Sequence, residues 1–208
     1  MKKLIIASLS LAILFQVHAQ YDPEALAVLD AMSNKYKQID AFKASFSQKL
    51  TNESAGLDET ISGDIAVKGD MYVLEVAGQK IFNDGTDIYT YNKEINEVTI
   101  SPYDPEESEI TLSNIYDIYK SGFKYVLAEK QANGDRVVEL DPESRDKSYF
   151  KIKMTINSKD ELKSFTVFER TGNKYLYSIN SFTPTSLSDS YFSFDVSKYP
   201  NVEVIDFR

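Results

Sequence analysis

From Phe42 onward apolar and polar residues alternate in short runs, each ending at a turn signal. Phe42, Ala44, Phe46, Gln48 and Leu50 alternate with Lys43, Ser45, Ser47 and Lys49, the pattern of a half-buried strand. Ile61, Gly63, Ile65 and Val67 follow, and Gly69-Asp70 turns the chain into a run with Tyr72, Leu74 and Val76 on one face. A short run over 79–82 ends at Asn83-Asp84-Gly85, and 88–91 with 98–100 reads as another hairpin. Further runs lie at 123–129, 136–140, 149–156, 162–170 and 174–182, with a last piece around 202–205. They are separated by Asn133-Gly134-Asp135, Asp141-Pro142, Asn157-Ser158-Lys159-Asp160 and Gly172-Asn173. Tight turns of this kind join antiparallel neighbours, since a parallel pair needs a long crossover.

Helical spacing appears twice. Leu26, Leu29, Met32, Tyr36 and Ile39 form one apolar stripe over 23–39, with Asp22 as the cap, Pro23 in the first turn and Glu24 at the positive end. Leu112, Ile115, Tyr116, Ile118 and Tyr119 predict a second, shorter helix that stops at Gly122. Together these give an α+β protein: an incomplete antiparallel β-barrel or strongly curved sheet of about eleven strands, lidded by helices.

The N-terminus reads as an export signal. Lys2 and Lys3 precede an apolar run over 4–15, and Val17-His18-Ala19 offers the compact residues of a cleavage site before Gln20. The run is too short to span a bilayer, and no cysteine follows it to take a lipid. The expected division is a cleaved leader over 1–19 and one domain over 20–208, released into the periplasm. The chain has no Cys, and its single His is His18. Nucleophilic sites built on His or Cys are therefore excluded from the mature part, and the usual zinc and copper ligand sets are missing. Ser144-Arg-Asp-Lys147 sits in a polar turn rather than at a helix start, and no carboxylate pair stands out. Asp104, Glu106, Glu107 and Glu109 cluster without the spacing of a calcium loop. The reading is of a protein that is not an enzyme, with no metal and no cofactor.

What remains is aromatic: 14 Tyr and 12 Phe, set along the strands at Phe46, Tyr72, Tyr89, Tyr91, Phe165, Phe168, Tyr175 and Tyr177. Such residues fill a core or line a cavity, and a curved sheet of this size has room for a ligand. The charge is acidic, with 23 Lys and Arg against 32 Asp and Glu and a formal net charge of −9. Loss of Lys2 and Lys3 makes the released form more acidic still. This argues against nucleic acid and anionic headgroups as partners, and suits a basic protein partner.

An ordered set of motifs narrows the reading. A helix is followed by Phe42-Lys-Ala-Ser-Phe-Ser-Gln-Lys49, Ser62-Gly-Asp-Ile-Ala-Val-Lys68, Asn83-Asp-Gly85 and Ile88-Tyr-Thr-Tyr-Asn92. The chain closes on Tyr191-Phe-Ser-Phe194, then Val202-Glu-Val-Ile-Asp206 and Arg208. This series, from about Leu26 to Arg208, resembles the periplasmic outer-membrane lipoprotein carriers of the LolA-like family. The resemblance implies an apolar cavity between sheet and lid that shields acyl chains, and a monomer that does no covalent chemistry. It also implies partners: acylated lipoproteins, an inner-membrane lipoprotein-releasing ABC transporter and an outer-membrane acceptor. A carrier or sensor of another lipid on the same fold is the alternative, with a carboxylate-based hydrolase behind it. By the same resemblance the cavity is lined by Leu29, Met32, Phe46, Ile65, Val67, Tyr72, Leu74, Val76, Tyr89 and Tyr91. Leu112, Ile115 and Ile118 belong to the lid helix. One position departs from the family: Gly69 stands where the enterobacterial members carry an arginine that governs lid opening.

Overall fold

The computed structural model describes residues 21–105, 110 and 112–208. The leader-like segment 1–19, and Glu106, Glu107 and Glu109 of the acidic cluster, lie outside the described residues. Helix α1 (Pro23–Lys37) starts where its cap predicts. The Asp22 carboxylate accepts the Glu24 N–H at 2.8 Å, and Pro23 opens the first turn. The helix stops short of Ile39, because the Gln38 N–H bonds to the Lys35 carbonyl in a tightened last turn.

Twelve strands follow: β1 (Ala41–Asn52), β2 (Leu57–Lys68), β3 (Met71–Val76), β4 (Gln79–Asn83), β5 (Asp87–Asn92), β6 (Glu97–Pro102), β7 (Phe123–Lys130), β8 (Arg136–Pro142), β9 (Tyr149–Ile156), β10 (Leu162–Glu169), β11 (Lys174–Thr185) and β12 (Glu203–Asp206). They form one sheet in the order β12-β6-β5-β4-β3-β2-β1-β11-β10-β9-β8-β7. All neighbours are antiparallel except β12, which runs parallel to β6.

This corrects the expected architecture in three respects. The sheet is mixed, has twelve strands among the described residues, and neither closes into a barrel nor curls strongly; its end strands β7 and β12 are not paired with each other. The far edge of β7 is taken by the start of α1, where the Asp22 N–H reaches the Tyr125 carbonyl at 3.2 Å. Second, α1 is the one α-helix among the described residues. The expected helix over 112–119 is a run of turns that ends in a 3₁₀ turn at Ile118–Lys120. Ser113, Asn114 and Asp117 offer side-chain partners that compete with helical backbone bonds. A segment this short does not recover the cost of helix nucleation. Third, the space between α1 and the sheet is packed with side chains rather than left as an enclosed apolar cavity.

The sheet buries part of each face. On the front face α1 and the 112–120 segment cover Phe42, Ala44, Phe46, Ile65, Val67, Met154 and Phe165. On the back face the chain between β11 and β12 lays Phe192 over Ala66, Val73 and Phe82, with Leu187 and Phe194 beside it. Strand alternation makes this possible, since Ile65 and Val67 point forward while Ala66 points back.

Turn chemistry fixes the β2–β3–β4 register. Gly69 has φ 56° while Asp70 keeps negative φ, the sign pattern of a type II′ hairpin turn. Ala77 and Gly78, at φ 49° and 79°, give the pattern of type I′. Asn83 ties these hairpins together. It is fully buried, its Nδ2 donates to the Asp70 carbonyl at 3.2 Å, and its Oδ1 accepts the Gly85 N–H at 2.8 Å. Asn83→Ala strands both groups away from water, so it is expected to cost about 2–3 kcal/mol of unfolding free energy, measurable by urea titration. Asn83→Asp keeps the acceptor and is expected to be less costly than Ala at neutral pH.

Candidate functional site

The front layer gathers most of the residues that sequence reasoning assigned to a cavity. Leu29 and Met32 of α1, Phe46 of β1, Ile65 and Val67 of β2, and Leu112 and Ile115 of the covering segment are buried together. Tyr72, Leu74 and Val76 of β3, and Ile118, are partly buried against them. The period of two puts alternate residues of β2 and β3 on one face, and the helical stripe of α1 meets them there.

Tyr89 and Tyr91 go elsewhere. In the β4–β5 register Tyr89 stands opposite Phe82 and Tyr91 opposite Lys80, which assigns both to the back face. Tyr89 stacks on Phe194 at 5.8 Å between centroids, and Tyr91 meets Tyr199 at 4.5 Å. Alternation within β5 groups these tyrosines but does not say which side of the sheet they take. Phe168, another aromatic in the strand pattern, also leaves the front layer, and pairs with the exposed Phe150.

The cavity assignment left out Tyr36 and Tyr116, although both stand in the helical stripes, and sequence reasoning missed Phe123, Tyr125, Tyr149 and Phe182. The rings of Tyr36 and Tyr116 stack at 3.7 Å, with Phe182 edge-on to Tyr36 at 5.2 Å. Burial pushes both hydroxyls above the usual tyrosine range, so both stay neutral. The Tyr36 oxygen accepts the Leu162 N–H at 3.2 Å, which joins the end of α1 to the start of β10.

The layer is closed by its own side chains. Leu29, Met32, Ile115, Met154 and Phe165 are among its fully buried members, so the open space lies at the margins. One cleft of about 360 Å³ lies between the end of α1, the β2–β3 turn and residues 113–117, lined by Tyr36, Phe42, Val67, Gly69 and Tyr116. A second, of about 190 Å³, is lined by Gln48, Ile110, Tyr149, Val167, Tyr175 and Tyr177. These sizes straddle the lower bound for small-molecule pockets. In the second, Gln48 Nε2 donates to the Tyr177 hydroxyl at 2.6 Å.

A polar cluster holds the covering segment to α1. The Tyr119 hydroxyl donates to Asp30 at 2.6 Å, and Lys120 Nζ donates to the Ser33 hydroxyl at 2.7 Å. The Ser33 hydroxyl and Lys120 both bond to the Asp117 carboxylate, and Lys37 lies 3.6 Å from it. Partial burial pushes the Asp117 carboxyl up, but the bonds from Lys120 and Ser33 outweigh it and leave the group below its ordinary range. Tyr119 moves upward, through burial first and its bond to the Asp30 carboxylate second. The sequence carried a faint signal for this cluster: Asp30, Ser33 and Lys37 repeat at helical spacing beside the apolar stripe.

Gly69 sits at the rim of the larger cleft. A Cβ placed there meets nothing within 4 Å, so the glycine answers a backbone demand for positive φ rather than a lack of space. Among the described residues no group of His, Cys, Asp and Glu is placed to hold a metal ion. No helix among them is long and apolar enough to cross a membrane.

Known proteins are similar to this chain in sequence or in fold. The outer-membrane lipoprotein carrier protein of Yersinia enterocolitica is 25% identical over 202 residues, covering 95% of this chain and 96% of that protein. Its counterpart in Actinobacillus pleuropneumoniae is 23% identical over 205 residues, covering 95% and 93%. Among solved structures, an uncharacterized conserved protein from Thermus thermophilus superposes with a TM-score of 0.56 at 12% identity, covering 88% of this chain and 99% of that one, which is a likeness of fold. The family model described as outer membrane lipoprotein carrier protein LolA matches residues 37–195. That span takes in the sheet from β1 to β11, the covering segment and the aromatic back layer, and the chain therefore belongs to the LolA family of outer-membrane lipoprotein carrier proteins.

Proposed function

We propose that this protein shields the acyl chains of a lipid-bearing cargo, an acylated lipoprotein or another lipid, against its front layer and carries them through the periplasm without covalent chemistry. The observation that carries the reading is the front layer itself. It is a continuous apolar and aromatic surface under a cover of two pieces, α1 and residues 112–120, which are joined to each other at one side by partly buried polar contacts. Each CH₂ kept from water is worth roughly 0.8 kcal/mol, so acyl chains need such a surface to cross an aqueous space. The fastening is weak by comparison. The ion pair that crosses between the pieces, Lys37 with Asp117, is exposed and contributes about 0.2–1 kcal/mol, so a ligand that replaces the side-chain contacts of Leu29, Met32 and Ile115 can part them. A filled apo core that reopens for ligand also limits the net affinity, which a carrier needs in order to release its cargo.

The test starts from protein secreted with its native leader and purified from the periplasmic fraction. Mass spectrometry of co-isolated material should detect acylated lipoprotein or free lipid. Leu74→Glu should reduce that material at least about tenfold, because an acyl chain laid over β3 would have to desolvate a carboxylate, and about 1.4 kcal/mol already gives that factor. Retention of full lipid loading by Leu74→Glu, with the fold intact by circular dichroism, would remove the front layer from the mechanism. The identity of the co-isolated material decides between cargos: lipid without protein favours the second. Gly69 at the cleft rim, in place of the arginine of the enterobacterial members, is the feature that leaves room for this second cargo.

A further inference from the structure

Strand β2 is paired to β1 along its whole length, from Leu57 opposite Asn52 to Val67 opposite Phe42. Its pairing with β3 covers only Gly63–Lys68, because the chain leaves the sheet direction after Val76, at Ala77 and Gly78. Leu57 to Ser62 therefore shows one bare edge of backbone N–H and C=O groups, and all six residues are exposed. A cleft of about 430 Å³ opens beside the end of this edge, lined by Ser62, Gly63, Asp64, Val76 and Gly78 among others.

The two end strands of the sheet are guarded. Tyr21 and Asp22 lie along β7, where the Asp22 carboxylate accepts the Leu127 N–H at 3.0 Å, and a bulge follows at Leu127. β12 is four residues long and is fenced by Asp206 and Arg208, whose guanidinium grips Asp206 and also Asp87 at 2.8 Å. Short length, charge, bulges and covering segments are the usual protections of an edge. Leu57–Ser62 has no proline, no lysine and no bulge against β1.

Its chemistry describes a guest. Leu57, Glu59 and Ile61 share the front face with Phe46 and Ile65, while Asp58, Thr60, Ser62 and Asp64 share the back. Asp58 is paired with Lys49 at 2.9 Å, but Glu59 and Asp64 are in no ion pair among the described residues. A strand that fits has apolar side chains beside Leu57 and Ile61 and cationic ones near Glu59 and Asp64. A second copy of this chain fits poorly. It would bring Asp58 and Glu59 of one edge against the same residues of the other, between chains of formal charge −9.

We propose that the Leu57–Ser62 edge receives an extended, basic strand from a protein partner, which adds to the sheet in line with β3 by main-chain pairing. The same β2 strand carries Ile65 and Val67, so the guest lies at the end of the front layer. Docking there does not require the lipid reading to be correct.

The test uses the full chain and three synthetic peptides: one of pattern Val-Thr-Lys-Thr-Val, which sets its lysine between two valines on one face to meet Leu57, Glu59 and Ile61, the same peptide N-methylated along one edge, and one with glutamate in place of the lysine. The lysine peptide should bind and slow hydrogen exchange at alternate amides of residues 57–62. N-methylation of the pairing edge, or the change to glutamate, should weaken binding at least about tenfold. Glu59→Lys, an exposed change that leaves the fold intact, should weaken the lysine peptide and strengthen the glutamate one. Three results would overturn the proposal: no protection between 57 and 62, equal binding of both peptide charges, or protection of the same amides by dimerisation of the chain alone.

Discussion

Phe192→Ala is expected to lower the unfolding free energy by about 3–5 kcal/mol, the range for emptying a buried aromatic site. Phe192 is fully buried and is the one member of the back core that comes from outside the strands; Ala66, Val73 and Phe82 all belong to the sheet. No neighbouring helix can collapse into the space, because this layer is a single irregular segment held by Phe192, Leu187 and the ring cluster around Phe194. The loss should therefore free that segment as well as weaken the whole molecule. Urea unfolding followed by far-ultraviolet circular dichroism suits a chain without tryptophan. Hydrogen exchange at β4 and β5 should rise more than at β8 and β9, since only the former pair lies under the back layer. A loss below about 1 kcal/mol would mean that the segment from 187 to 199 is not part of the cooperative unit.

Gly63→Val is the second large effect, expected at about 3 kcal/mol from overpacking at a site with no slack. A Cβ at Gly63 would lie 2.7 Å from the Glu75 carbonyl oxygen and 2.8 Å from Phe46 Cζ. The ring can turn, but the carbonyl belongs to β3, which pairs with β2 from this residue onward. Relief therefore requires β3 to separate at its far end. Adding Phe46→Leu to Gly63→Val, measured against Phe46→Leu alone, distinguishes the two obstacles. It removes the ring and leaves the carbonyl, so urea midpoints should recover less than half of the loss. Full recovery would assign the strain to Phe46 alone.

The strands were legible because a period of two and the Gly, Asn and Asp turns are local signals. Each run from Phe42 onward can be read without its neighbours, and Gly69 and Asn83-Asp84-Gly85 mark real reversals. The segment 112–120 was misread because its apolar spacing, Leu112, Ile115 and Tyr119, serves equally well on a string of turns. Ser113, Asn114 and Asp117 decide against the helix. Tyr89 and Tyr91 were assigned to the wrong side of the sheet because alternation fixes which residues share a face but not which layer covers it. Of the front layer, the members on α1, β2 and β3 were visible through their patterns and the family motifs. Phe182 and Tyr125 were not, since they meet Tyr36 and Tyr119 only after distant strands have been brought together.

The amino-acid sequence already specifies a β-rich body with a capped helix ahead of its strands, an acidic composition, and no cysteine and no histidine other than His18 with which to do nucleophilic chemistry. Those are properties of residue identity and near-neighbour spacing. Long-range packing sets the open twelve-stranded sheet, the division of its aromatic residues between two faces, and the unpaired edge over half of β2. Strand order and face depend on which distant surfaces exclude water together, and no local period encodes that choice.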